Sequence, residues 1–234
     1  MSAIEVISGH IQDYLARRRF TGDHLHCDQL ARLKQWQAQR LRQTYTALLQ
    51  SPRHHALVSY FLEDIYNGLD LHEAASTLDK SLRLASRLLS DMRLIELALA
   101  FNALNAELDE QLAHVLFVEM GCESLSEERY AQACQRLNRI EDQQLALALV
   151  EAFAEGLEDV IHDPGVYRAF RLARIPVRMS SLRGLYDLIE RGFDVMRALP
   201  DAEQTIQRIV RHEQHILQRI QEVDPAPFRP LVCQ

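Results

Sequence analysis

Apolar residues recur along the whole chain at the spacing of a helix rather than that of a strand. In the stretch from 84 to 99 they step by three or four residues, at Leu84, Leu88, Met92, Ile95 and Leu99. No stretch alternates apolar and polar residues as a half-buried strand does, and no internal repeat is visible. The pattern predicts an all-α fold with about eight helices in a single bundle-like domain.

Capping residues and chain breakers indicate where the helices begin and end. Ser51-Pro52 predicts a helix start with the serine as its cap, and Ser124 with Glu127 forms a capping box. The breakers predict helices over 3–18, 23–49, 52–67, 126–138 and 141–161, another that ends at 198, and a last one over 200–223. Pro176 is expected to interrupt or bend the helix that contains it.

The last ten residues differ from the rest of the chain. Residues 225–234 contain three prolines, which lack a backbone N–H and keep the preceding residue out of a helix. The sequence therefore predicts a single helical domain over residues 1–224 and an extended tail over residues 225–234 that lies on the surface.

The composition is that of an ordinary folded protein. Hydrophobic residues make up 47 % and charged residues 25 % of the 234 residues, and glycine and proline are scarce. The four cysteines lie far apart without a CxxC pair, which indicates reduced thiols rather than a disulfide framework or a zinc ribbon. No targeting segment is visible, and no uncharged run approaches the ~20 residues that span a bilayer. We therefore expect a soluble, cytoplasmic protein without a membrane span.

The net charge of −7 is unevenly distributed along the chain. Residues 1–55 carry a charge of +4, residues 56–163 a charge of −14, and residues 164–234 a charge of +3. A nucleic-acid surface needs a dense, one-sided basic patch, so the acidic balance argues against nucleic acid as a partner. The basic terminal segments are expected to pack on the acidic middle, either within one chain or between two chains.

No linear motif of a catalytic or cofactor site is present. The chain lacks HExxH, GxSxG and a glycine-rich phosphate loop. We therefore assign no catalytic residue and expect neither a metal nor a cofactor. A pocket that binds a small molecule or metal would require at least three carboxylates or histidines to meet at one buried point. The candidates for such a cluster are Glu63, Glu96, Glu110, His114, Glu151, Glu155 and His162.

Two patterns in the last third of the chain concern packing and binding. The final helix carries apolar residues at steps of three and four, with the carboxylate of Glu213 at a core position. We interpret this seam as a packing face within the chain, and a dimer seam is the alternative. A stripe of arginines either pairs with acidic residues or solvent, or binds a carboxylate or phosphate. The stripe consists of Arg168, Arg171, Arg174 and Arg178.

Two segments carry a distinctive sequence. The run YFLEDIY occupies residues 60–66, and the run LIERGF occupies residues 188–193. Together they resemble the signature of an uncharacterised bacterial family, the FFLEELY-motif proteins. Tyr60, Asp64 and Ile65 stand where that motif has Phe, Glu and Leu. The resemblance implies a helical fold in a bacterial protein and brings no established activity.

The same two segments supply the candidate binding residues. Apolar side chains take one side of the first segment and Glu63 takes the other, so covering both sides would bury this carboxylate and require a partner. We predict a buried contact between Glu63 and Arg191, with Gly192 allowing a close approach. The candidate ligand-binding residues are Tyr60, Glu63, Tyr66, Glu190 and Arg191.

The expected function follows from the charge asymmetry and the amphipathic helices in the absence of a catalytic motif. We expect a non-catalytic helical module for protein interaction or self-assembly in the bacterial cytoplasm. The alternative is a helical-bundle enzyme or binding protein with a carboxylate- and histidine-lined pocket for a small molecule or metal. Convergence of the seven candidate side chains at one buried point would favour the alternative.

Overall fold

The computed structural model describes residue 9 and residues 24–66, 92–180 and 183–231. Over these residues the protein is a single domain of nine α-helices without a strand, which confirms the predicted all-α fold. The helices are α1 (His24–Thr44), α2 (Thr46–Gln50), α3 (His55–Ser59), α4 (Arg93–Ala113), α5 (Glu127–Leu137), α6 (Ile140–His162), α7 (Pro164–Arg178), α8 (Arg183–Ala198) and α9 (Ala202–Gln221). Two π-helical segments, Tyr60–Ile65 and His114–Glu119, continue α3 and α4.

Helix α6 lies at the centre of the domain and contacts α4, α7, α8 and α9. Its apolar residues recur at helical spacing, so Val150, Phe153 and Leu157 are all buried against these neighbours. The pair of α4 and α6 is the most extensive helix contact, and α1 packs on α4. The domain is therefore organised around one central helix rather than as a simple layer.

Within the described ranges the buried apolar residues form three clusters. The largest fills the space between α4, α6, α7, α8 and α9 and includes Phe153 and Phe193. A second cluster joins Leu33 of α1 to α5 and to the end of α9. A third joins Leu41 of α1 to the π-helical segment Tyr60–Ile65 and to α9. The second and third clusters fix α1 to the rest of the domain.

Several helix boundaries differ from the predicted ones. The helix predicted over residues 23–49 is divided at Tyr45 into α1 and α2. Helix α5 is capped by Ser126, whose hydroxyl accepts a hydrogen bond from the backbone N–H of Arg129 at 3.2 Å, and not by Ser124. Helix α3 begins at His55 rather than at residue 52, since a turn follows Ser51. Pro176 lies inside the last turn of α7 and does not interrupt it.

The segment after α9 is non-helical over residues 224–231, as its prolines predict. It does not simply lie on the surface. Phe228 is buried, with its ring edge-on to Trp36 at 6.1 Å and to Tyr130 at 5.8 Å. The backbone N–H of Leu231 donates a hydrogen bond to the carbonyl of Thr44 at 2.9 Å. The tail is thus part of the core between α1 and α5, because its one large aromatic side chain fills a gap there.

Two predicted elements, the helix over residues 3–18 and most of the stretch from 67 to 91, lie outside the described residues. Within the described part, no helix combines the length and the apolar character needed to cross a membrane.

Candidate functional site

A partly open cavity of about 70 Å³ with a mixed polar and apolar lining lies between α1, α4, α6 and α9, and we call it the interhelical chamber. Its apolar lining is Phe101, Leu108, Leu112, Ala146, Leu147 and Leu217. Its polar lining is Gln37, Arg40, Tyr66, Asn105, Asp109, Tyr130, Gln143 and Glu213. So many polar groups inside a helical core require hydrogen-bond partners, which makes the chamber the first candidate for a site.

Helical spacing explains why these polar side chains share one space. Gln37 and Arg40 are three residues apart on α1, and Asn105 and Asp109 are four residues apart on α4. Residues at these separations lie above one another on the same helix face. Because α1 packs on α4, the two polar faces meet at the chamber.

The chamber contains a buried ion pair between Arg40 and Glu213. One nitrogen of the guanidinium, Nη1, donates to both carboxylate oxygens, at 2.6 Å and 2.8 Å. The phenol of Tyr45 donates a third hydrogen bond to the same carboxylate at 2.7 Å. Both charged side chains are less than 10 % exposed. The pair therefore neutralises two charges that neither residue could bury alone.

Arg40 has a further N–H that the ion pair does not use. Its Nε is buried and has no hydrogen-bond acceptor among the residues that the structure describes. The guanidinium also lies over the ring of Phe228, at 5.5 Å from the ring centre. Burial by itself lowers the pKa of Arg40, but the Glu213 carboxylate together with Tyr130 and Tyr66 outweighs this effect, so the pKa is raised. Arg40 is thus a fixed cation whose buried Nε–H has no acceptor among the described residues.

Asp109 is the second buried carboxylate of the chamber and is 4 % exposed. Its oxygens accept hydrogen bonds from Nε2 of Gln37 at 3.0 Å and from Nδ2 of Asn105 at 3.4 Å. Among the described residues no cation lies within ion-pair distance of this carboxylate, although the charge of Lys34 acts on it. Burial raises the pKa of Asp109, while Lys34 and the Gln37 hydrogen bond oppose the shift. A buried carboxylate that is solvated only by amides marks a candidate binding group.

Aromatic side chains close the chamber next to these charges. Tyr130 stacks on Trp36 at 4.6 Å, and Tyr66 lies edge-on to Phe101 at 6.4 Å. Burial raises the pKa of both tyrosines, so their hydroxyls stay neutral. Burial also raises the pKa of the nearby Cys134 thiol to about 12. A thiol in this state is a poor nucleophile at neutral pH.

The structure separates the residues predicted for a ligand site. Tyr60 is buried, and its hydroxyl donates to the carbonyl of Leu188 at 3.0 Å. Glu63 is exposed and pairs with Arg42 at 3.2 Å, so the prediction that it is buried is wrong. Arg191 pairs instead with Asp64, at 2.9 Å. An ion pair thus joins the segments 60–66 and 188–193, but its carboxylate is Asp64 and not the neighbouring Glu63.

Tyr66, Glu190 and Gly192 lie in three different surroundings. Tyr66 lines the interhelical chamber, and it is the one member of the predicted set that does. Glu190 pairs with Arg174 and Arg178 on α7, at 3.4 Å and 3.2 Å. At Gly192 a Cβ atom would lie 2.6 Å from the hydroxyl of Tyr60, so the predicted close approach is present. The five residues do not line one cavity together, and their role in ligand binding stays a prediction.

The carboxylates and histidines proposed as an alternative site do not converge. Glu63, Glu155, His114 and His162 are exposed, whereas Glu110 is buried. Over residues 24–66, 92–180 and 183–231, no three His, Cys, Asp or Glu side chains could hold one metal ion. The polar groups that do converge, in the interhelical chamber, belong to a different set.

Arg40 and Asp109 are not among the site residues predicted from the sequence. For Arg40 the sequence does contain a usable signal. Glu213 at a core position requires a cationic partner. Arg40 lies seven residues after the fully buried Leu33 and therefore on the same helix face. This combination could have identified the pair. Asp109 has no comparable local signal, since its amide partner Gln37 is 72 residues away.

The outer face of α7 is a second candidate for a binding surface. Its inner face packs on α8, where Phe170 stacks on Tyr186 at 4.3 Å. Its outer face carries Leu172 and Ile175, and Met179 follows directly after its last residue; the three side chains are 76 %, 73 % and 84 % exposed. We call these three residues the α7 stripe. Large apolar side chains that are exposed next to one another mark interaction surfaces more often than single ones do.

The arginines of α7 divide between two roles. Arg174 and Arg178 pair with carboxylates of α8 and not with the acidic middle of the chain. Arg168 and Arg171 are exposed, and no described carboxylate lies within ion-pair distance of either. Arg168 continues the α7 stripe by one helical turn, because it lies four residues before Leu172.

The comparison with family models identifies the region that contains these features. A model described as a domain of unknown function, DUF8198, matches residues 16–227. The chain belongs to this family. The DUF8198 region includes the interhelical chamber and all of α7, and its description assigns no activity. Comparisons with curated proteins and with solved structures found no match. The resemblance to the FFLEELY-motif proteins stays a prediction.

Proposed function

We propose that this protein is a non-catalytic interaction module of the bacterial cytoplasm that binds a helical protein partner through the α7 stripe. The exposure of Leu172, Ile175 and Met179 carries the proposal. These positions follow the steps of three and four residues by which one helix presents a continuous surface to another. The chamber supports the non-catalytic part, since burial keeps its tyrosine hydroxyls and the Cys134 thiol protonated.

The size of the α7 stripe favours a reversible complex. Burying one large aliphatic side chain contributes about 1.5–3 kcal/mol, so three such side chains supply roughly 4–9 kcal/mol before the costs of association. A stable dimer needs about 800 Å² on each partner, which is more than three side chains cover. The stripe is therefore suited to a short helix of a partner protein.

The charges around the stripe define the chemistry of that partner. Arg168 and Arg171 lie on the exposed side of α7 without a carboxylate partner among the described residues. A partner helix with an apolar face edged by Asp or Glu would complement both features. A second copy of α7 would instead bring the same arginines together. We therefore favour an acidic amphipathic helix of another protein over self-association.

Site-specific photo-crosslinking tests this proposal. A photoreactive phenylalanine analogue is placed at position 179 in one sample and at position 145 in a matched control. Leu145 is a suitable control because it is an exposed apolar residue, 51 % exposed, on α6. We expect position 179 to label an acidic amphipathic segment of a partner protein, and position 145 not to label it.

A synthetic peptide of the labelled segment then permits a direct measurement. Fluorescence anisotropy should show at least tenfold weaker binding for Ile175→Ser, because a buried apolar contact is lost. Arg168→Gln should reduce the salt dependence of binding, whereas Leu145→Ser should leave the affinity unchanged. Labelling of a second copy of the chain, binding to anionic vesicles in place of the peptide, or an affinity insensitive to Ile175→Ser would each overturn the proposal.

A further inference from the structure

We infer that the interhelical chamber is a binding site for a small monocationic amine that also carries an uncharged oxygen acceptor, such as an amino alcohol or an amino amide. The inference is independent of the proposed function, since no residue of α7 lines the chamber. It rests on the charge, the hydrogen-bonding groups and the size of the chamber.

The charge of the lining favours a cation. Arg40 and Glu213 neutralise each other through two hydrogen bonds of 2.6 Å and 2.8 Å. Asp109 remains as a buried carboxylate whose hydrogen-bond donors, among the described residues, are the amides of Gln37 and Asn105. Lys34 acts on Asp109 electrostatically but does not line the chamber. An ammonium group inside the chamber would supply the direct counter-charge that Asp109 lacks there.

The aromatic side chains of the lining also favour a positively charged ligand. Tyr66, Phe101 and Tyr130 all line the chamber. An aromatic ring attracts a cation through the negative charge of its face. A carboxylate combined with aromatic walls is therefore an environment for an organic ammonium ion rather than for an anion.

The unmade hydrogen bond of Arg40 defines the second group of the ligand. Within the described part of the chain the buried Nε of Arg40 has no acceptor, and a buried donor without a partner is costly. The charge of Arg40 is already neutralised by Glu213, so a hydroxyl or amide oxygen is sufficient as the acceptor. A carboxylate on the ligand would instead face the negative charge of Glu213. The ligand is thus a monocation and not a zwitterion.

The volume of the chamber limits the size of the ligand. A group of the size of one water molecule needs ~10–15 Å³ of cavity volume. A cavity of about 70 Å³ therefore accepts a ligand of about five to seven non-hydrogen atoms. Glycinamide and 1-amino-2-propanol fall in this range. Three probes of similar size differ in charge: alanine is a zwitterion, propionamide is uncharged and propionate is an anion.

Isothermal titration calorimetry and ligand-observed NMR with the full chain test the inference. We expect saturable binding of glycinamide or 1-amino-2-propanol and at least tenfold weaker binding of alanine, propionamide and propionate. Asp109→Asn, which preserves the shape of the side chain, should weaken binding of the amine about 10- to 100-fold. The matched control Asp194→Asn removes an exposed carboxylate of α8 and should leave the affinity unchanged.

A second variant covers the case in which Asp109→Asn does not fold. Ala146→Val narrows the chamber without removing a polar group and should abolish binding while the circular dichroism spectrum stays native. The inference is overturned if no probe binds saturably at about 10 mM, which means that the chamber holds water only. It is also overturned if alanine or propionamide binds as tightly as the amines, or if neither variant changes the affinity.

Discussion

Replacing Glu213 by glutamine would leave the buried guanidinium of Arg40 without its counter-charge. The carboxylate accepts two hydrogen bonds from Arg40 and a third, of 2.7 Å, from Tyr45. Removing one partner of a buried pair costs about 3–5 kcal/mol, because an uncompensated charge stays in the interior. We expect the free energy of unfolding to fall by this amount, out of a total of about 5–15 kcal/mol for a domain.

Urea denaturation followed by far-UV circular dichroism measures this loss. At about 2–4 °C per kcal/mol for a chain of this size, the melting temperature of Glu213→Gln should fall by roughly 6–20 °C. The matched control is Asp201→Asn, which breaks the surface pair between Asp201 and Arg53. The Arg53 side chain is 60 % exposed and Asp201 34 %, so solvent screens this pair and its loss should cost less than about 1 kcal/mol.

The double variant Arg40→Met with Glu213→Leu separates the loss of a charge from the loss of packing. Two apolar side chains in place of a buried pair are often neutral or stabilising, so the double variant should recover most of the stability lost in Glu213→Gln. If Glu213→Gln cost no more than Asp201→Asn, the description of Glu213 as a buried counter-charge would be refuted. Failure of the double variant alone would show that the packing around Tyr45 depends on the carboxylate.

Three further changes test other parts of the structure. Gly192→Ala places a Cβ atom 2.6 Å from the hydroxyl of Tyr60 and should cost about 1–3 kcal/mol in urea denaturation; wild-type stability would contradict the close contact. Because burial raises the pKa of Asp109, the folded state loses stability as this group ionises with rising pH. The stability of Asp109→Asn relative to the wild type should therefore increase from about pH 4 to pH 7, and a constant difference would argue against a raised pKa. Ser126→Ala removes the N-cap of α5 and should lower the free energy of unfolding by about 1 kcal/mol in thermal denaturation. An equal loss in Ser124→Ala would contradict the assignment of Ser126 as the cap.

The helical fold could be predicted because its cause is local. Apolar residues at steps of three and four determine which face of each helix is buried, and this pattern is present in the sequence itself. The same pattern identifies Glu213 as a carboxylate at a core position, and the structure places it there with 5 % of its surface exposed. Prolines likewise predict that the segment after α9 is not helical.

The error at Glu63 has a physical cause in the backbone. Residues Tyr60–Ile65 form a π-helical segment, shown by the hydrogen bond from the N–H of Tyr66 to the carbonyl of Phe61 at 3.2 Å. Hydrogen bonds between residues five apart widen the helical turn, so the side chains no longer follow the period of an α-helix. As a result Asp64, and not Glu63, forms the ion pair with Arg191.

What the sequence by itself determined is therefore the helices, their buried faces and the presence of a charge at one core position. Only the tertiary structure decided that Arg40 is the partner of Glu213, 173 residues away, and that Asp109 lies beside Gln37. It also decided that the α7 stripe stays uncovered. These features depend on which helices pack together and at what rotation, and such non-local choices leave no periodic signal in the chain.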